Sequence, residues 1–172
     1  MISGTATPCV LLHGLAVSHR YLMPTARLLG QRSVYIPDLA GFGLSDKPST
    51  VLDVGVHADV IAALLDTLGT APAALLGNSF GCQVAVELAL RRPDLVGALI
   101  LVGLTTDPAA ATVRGQIGRL LRDLPHEDPR QTAILATDIR DAGPRRILKT
   151  LRYAVDDHIE AKLPALRAYQ PC

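Results

Sequence analysis

The chain has 172 residues, 49% of them hydrophobic, which is enough for one domain with a real core. Its 17 basic and 16 acidic residues leave a net charge of +1, so no field draws it to nucleic acid or to an anionic membrane. With 3% aromatic residues and no Trp, stacking platforms for single-stranded nucleic acid are excluded as well. Arginine supplies most of the positive charge, since Lys47, Lys149 and Lys162 are the only lysines, but the arginines are scattered rather than clustered. Cys9, Cys82 and Cys172 are far apart and form no C-x-x-C pair, so neither a zinc site nor a disulfide framework is indicated. A reducing cytoplasm fits. The N-terminus has no basic segment ahead of its apolar run, which argues against a signal peptide. The longest apolar stretch, Leu95–Leu104, is too short to span a bilayer.

Along the chain, short apolar runs alternate with helix-like segments. "CVLLH" (Cys9–His13) is followed by a helical stretch over Tyr21–Leu29 that closes at Gly30. "SVYIP" (Ser33–Pro37) precedes a glycine-rich loop. Asp53–Leu68 carries Val60, Ile61, Leu64, Leu65 and Leu68 on one stripe and ends at Gly69. "AALLG" (Ala73–Gly77) leads into Phe80–Arg92, where Val84, Ala85, Leu88 and Ala89 face inward and Pro93 stops the helix. "ALILVG" (Ala98–Gly103) is the fourth run. Continuous rather than alternating apolar runs indicate parallel strands covered on both faces. The rhythm of strand, helix, strand indicates right-handed crossovers and a parallel sheet. After Thr105 no convincing strand follows. Asp107-Pro108 and Asp128-Pro129 each look like an N-cap with Pro at N1, and Gly143-Pro144 ends one helix and starts another. Residues 107–163 therefore read as three or four helices set on an α/β core. The expected division is a core over 1–106, a helical cap over 107–163, and the start of further core over 164–172.

Three stretches carry chemistry. Gly77-Asn78-Ser79-Phe80-Gly81 matches G-x-S-x-G between a strand and a helix. A serine at so sharp a turn is held in a strained backbone, and a side chain on either glycine would clash with the crossing elements. His13-Gly14-Leu15 directly follows the first strand, where a loop can aim a backbone N–H at a developing oxyanion. Leu15 would give one N–H and Phe80 the other, while His13 reads as structural. In "PDLAGFGLSDKP" (Pro37–Pro48), Asp38 ends the second strand and Gly41 and Gly43 keep the loop compact. Asp38 reads as a structural acceptor for loop backbone.

Together, "LLHGL", "PDLAGFGLSDKP", "LLGNSFGCQVAVELALRRPDLVGALILVG" and the helical insertion resemble the α/β-hydrolase superfamily, in its cap-bearing branch of esterases, haloperoxidases and C–C hydrolases. The resemblance implies Ser79 as nucleophile, Leu15 and Phe80 as oxyanion-hole donors, and residues 107–163 as the cap that shapes the pocket. It implies no cofactor and no metal. Serine rather than aspartate at the turn disfavours a haloalkane dehalogenase. In the family's order Ser…Asp…His, the acid follows the strand after the cap and the histidine comes later. Here the cap gives way to "EAKLPALRAYQPC", so the chain reads as C-terminally truncated, with both usual partners absent.

Asp107 is the candidate substitute acid, although Asp before Pro is also an N-cap signature. His126 and His158 are candidate bases, both beside charged neighbours that indicate solvation. His19 and His57 read as surface residues. Without a base the serine hydroxyl stays protonated and is a poor nucleophile. A four-stranded sheet ending on "ALILVG" also leaves a long apolar edge open, which would favour self-association. The sequence thus indicates a serine hydrolase for an ester or related small hydrophobic acyl substrate, with impaired activity. The alternative is a non-catalytic protein of the same fold that holds a small apolar ligand under the cap. A Rossmann-type nucleotide site is set aside, because G-x-G-x-x-G is missing.

Overall fold

The computed structural model describes residues 7–30, 32–104, 112–123 and 129–167. Four strands form one parallel sheet: β1 (Cys9–Leu12), β2 (Val34–Tyr35), β3 (Ala73–Asn78) and β4 (Val96–Val102), in the order β2-β1-β3-β4. β1 is central and buried throughout, with Val10, Leu11 and Leu12 wholly shielded from solvent. Burial of each such leucine contributes about 1.5–3 kcal/mol, so β1 is the natural centre of the core. Cys9 pairs with Val34 on one side and Ala74 on the other. That register sets the C-terminal ends of β1 and β3 side by side.

Helices flank both faces. α1 (His19–Leu28) covers the face bearing Cys9 and Leu11 through Leu22. α2 (Val54–Leu68) and α3 (Phe80–Arg91) cover the other, with Leu65, Leu75, Val84 and Leu88 in one cluster. Asp53 caps α2 by accepting from the Val56 N–H at 2.9 Å, as an N-cap carboxylate should. The buried face of α2 differs from the expected stripe. Ile61 and Leu65 are buried as expected, together with Val54, His57, Ala58 and Ala62, whereas Val60 and Leu68 are exposed. Small residues on the inward face let α2 lie close to α3. Ranking by hydrophobicity turns the helix the wrong way.

Beyond β4 the described residues form only helices: α4 (Val113–Asp123), α5 (Pro129–Ala142), α6 (Pro144–Asp156) and α7 (Ile159–Arg167). α5 starts at Pro129 and α6 at Pro144, as the N1 prolines indicate. α7 returns to the sheet. Ile159, Leu163 and Leu166 pack on Cys82 and Val86 of α3 and on Leu99 and Leu101 of β4. The opposite face of β4 is open, with Ile100 50% and Val102 45% exposed. Two-sided coverage, expected of all four runs, therefore fails at β4, because among the described residues α7 covers its Leu99 and Leu101 side and no helix packs on Ile100 and Val102. No helix among the described residues is long and apolar enough to cross a membrane.

Candidate functional site

The site is built where β3 turns into α3. Ser79 sits at that turn with φ +50° and ψ −118°, a conformation that L residues rarely adopt. Its N–H donates to the Val102 carbonyl at 2.9 Å, and its carbonyl accepts from the Cys82 N–H at 2.8 Å. The two glycines are required by contact. A Cβ on Gly77 would lie 2.6 Å from the Gly81 oxygen and 2.7 Å from the Cys82 Cα. A Cβ on Gly81 would meet the Leu12 carbonyl, 2.7 Å from its carbon, and the His13 oxygen at 2.9 Å. These are backbone atoms that cannot swing aside. The Cys82 thiol fastens the same turn by donating to the Gly77 oxygen at 3.1 Å and the Val102 oxygen at 3.3 Å. Burial pushes the Cys82 thiol up, so it stays protonated and is no competing nucleophile.

The loop after β1 abuts this turn. A Cβ on Gly14 would lie 3.2 Å from the Ser79 Cβ and 3.2 Å from the Asn78 Oδ1. Leu15 is therefore one residue from direct contact with the serine. Phe80 opens α3, where the first backbone N–H groups have no intrahelical partner. His13 is fully buried and structural. Its Nε2 accepts from the Leu39 N–H at 2.9 Å and its Nδ1 lies 2.8 Å from the Gly14 oxygen. Burial lowers its pKa, against the opposing pull of the Gly14 carbonyl and Asp38.

Asp38 organises the neighbouring loop. It accepts from the His19 N–H at 2.6 Å, the His19 Nδ1 at 2.8 Å and the Leu44 N–H at 2.8 Å. Burial works against ionisation, but these hydrogen bonds outweigh it and hold the carboxyl below its ordinary value. His19 is half-buried and engaged, rather than a free surface residue.

His57 corrects the expectation of a surface histidine. It is 1% exposed, and its ring stands edge-on to Phe80 at 5.5 Å. Its Nδ1 has no hydrogen-bond partner. Burial, reinforced by His13, lowers its pKa from 6.5 to about 4. Because the unfolded chain binds a proton near pH 6.5 and the folded chain does not, acid favours unfolding. Stability is expected to fall as pH drops from 6.5 to 4, by up to about 3 kcal/mol from His57. Urea denaturation across that range should show the slope, and His57→Leu should flatten it.

Asp107 and His126 lie outside the described residues. His158 is exposed between α6 and α7, and no hydrogen bond joins it or any other described histidine to Ser79. Among the buried polar residues that the sequence did not single out, two tie the cap helices to the core or sit beneath them. Gln83 in α3 donates to the Ala154 oxygen at 2.6 Å and the Asp157 oxygen at 3.1 Å, tying the helix that follows Ser79 to the end of α6. An amide inside the buried face of an apolar helix was the available signal. Asp138 in α5 is 3% exposed, and nothing in its local sequence marks it as buried. Lys162 adds to the tie between α7 and the core by pairing with Glu87 at 2.6 Å and with Asp157.

A family model of the alpha/beta hydrolase fold matches residues 7–132, which include the whole sheet and the Ser79 turn. The chain belongs to the α/β-hydrolase family. A 2-hydroxymuconate semialdehyde hydrolase from a Pseudomonas species is 36% identical over 108 residues, covering 59% of this α/β-hydrolase chain and 38% of that protein. Lipase LipV of Mycobacterium tuberculosis is 38% identical over 124 residues, covering 69% and 45%. A solved thermophilic esterase from Thermogutta terrifontis superposes with a TM-score of 0.76 at 25% identity, over 95% of this chain and 69% of that one. The chain spans less than half the length of these two curated relatives.

Proposed function

We propose that this α/β-hydrolase chain carries the nucleophile and oxyanion hole of a serine hydrolase for an ester or related small hydrophobic acyl compound. The observation that carries this reading is the strained backbone of Ser79, held against steric cost by two glycines and four hydrogen bonds. In this reading Ser79 Oγ attacks the acyl carbon. The oxygen that gains charge is met by the Phe80 and Leu15 N–H groups, and the N-terminus of α3 adds its dipole. The relatives support hydrolysis, since they include a lipase, an esterase and a 2-hydroxymuconate semialdehyde hydrolase.

His13 and His19 are engaged elsewhere, and His57 is buried edge-on against Phe80 with no hydrogen bond to Ser79, so none of the three is placed to serve as the base. Asp107 and His158 are the remaining proposed acid and base within the chain. With no base at Ser79, turnover falls to the residual level that an oxyanion hole and a pocket can sustain. That engagement of the histidines also favours a second reading, a binding protein that holds a small apolar ligand without turning it over.

A fluorophosphonate probe separates the two readings. The hydrolase reading expects covalent labelling of the folded chain and none in Ser79→Ala. Labelling that persists in Ser79→Ala, or a folded chain that never labels, would remove it.

A further inference from the structure

A concave site exists whose lining does not include Ser79. Between α1, the loop after β2 and α5 is a cleft of about 510 Å³, lined by Arg20, Gly43, Leu44, Lys47, Arg140 and Asp141, with Thr137 on the same helix. That volume falls in the range of small-molecule sites. The cleft borders the β2 end of the sheet, whereas Ser79 ends β3, with β1 between them.

The charges around the cleft are unequal. Three cations face it, against one carboxylate, Asp141, which is already paired with Lys47 at 3.0 Å. Lys47 also donates to the Gly43 oxygen at 3.1 Å. Two guanidinium groups remain. Arg20 Nη1 is 3.5 Å from Asp138, a carboxylate only 2% exposed, and neither oxygen of Asp138 accepts a hydrogen bond. The buried charge holds Arg20 at the mouth of the cleft, yet the donors of the guanidinium stay uncommitted. Arg140 pairs with no carboxylate among the described residues. The neighbouring wall is apolar, because Leu44 lies 81% exposed beside it.

We propose that this cleft binds a small dicarboxylate with a short apolar body, one carboxylate on Arg20 of the core and the other on Arg140 of the cap. Guanidinium forks suit carboxylates, and the apolar body would cover Leu44. Because α1 belongs to the core and α5 to the cap helices, the ligand would clamp one against the other. The site is independent of Ser79.

The test uses glutarate as probe, with the intact chain followed by NMR titration and thermal shift. Glutarate should perturb residues around the cleft and raise the melting temperature, while its dimethyl ester should do neither. Arg140→Ala, on an exposed helical position, should weaken binding about tenfold or more. Asp141→Asn should tighten it by freeing Lys47, and Ser79→Ala should leave it unchanged. Arg20→Ala should also abolish binding, but it strips Asp138 of its counter-ion, so Arg140→Ala is the deciding variant. No glutarate binding, equal binding of the dimethyl ester, or an affinity unchanged by Arg140→Ala would overturn the proposal.

Discussion

Gly81→Ala should destabilise the protein by about 3 kcal/mol or more, because the added methyl group meets strand backbone that is packed on both sides. The new Cβ would press on the Leu12 carbonyl and the His13 oxygen. Neither can retreat. Leu12 belongs to β1, which is hydrogen-bonded to strands on both sides and wholly buried. Nor can α3 lift away, because its start is fixed to β3 by the Gly77 approach and by the Cys82 thiol. The strain must therefore appear as separation of helix from sheet across the main core. Gly118→Ala is the control. Gly118 lies in α4 with no atom near the new Cβ, so alanine there should stabilise by about 1 kcal/mol through helix propensity alone. Urea midpoints of the two variants should move in opposite directions. A Gly81→Ala midpoint within error of the parent would show that the turn is looser than described.

The second large effect is at Ser79, where function and stability should part company. Ser79→Gly removes the hydroxyl and also relieves the left-handed backbone at φ +50°. It should abolish fluorophosphonate labelling while raising stability by about 1 kcal/mol, since glycine adopts this region freely. Ser79→Ala should abolish labelling with little gain, because alanine keeps the Cβ and so the strain. The difference between the two variants reads the backbone cost of presenting the hydroxyl. If both melt alike, the turn stores no strain, and the main support for a nucleophilic serine goes with it.

The parts of the site that were legible in the sequence are those fixed by local sterics. A glycine on each side of Ser79, with a strand before and a helix after, leaves few alternatives for the chain. Asp38 was also readable as a loop acceptor, because two glycines and a proline confine the turn it serves. The inward face of α2 was not readable, because it depends on how near α3 can come, and Ala58 and Ala62 decide that rather than the bulkier Val60 and Leu68. His57 was misplaced for the same reason. Once the helix is turned, its imidazole meets Phe80 and not water. Gln83 and Asp138 depend on contacts between the core and helices far along the chain, and no local pattern announces them.

The hydrogen bond from the Ser79 N–H ends on Val102, the last residue of the edge strand. Among the described residues β4 pairs with β3 alone and has one bare face, so it is the long strand with least to hold it. The strained turn is thus moored to an edge of the sheet, where pairing is one-sided and opening is easier than at its centre. Each brief opening of β4 would release the Ser79 amide and let the backbone relax from its unfavourable angles. The readiness of the hydroxyl would then be set by how tightly the rim of the sheet stays zipped, and anything that laid another strand along Val96–Val102 would sharpen the serine without touching it.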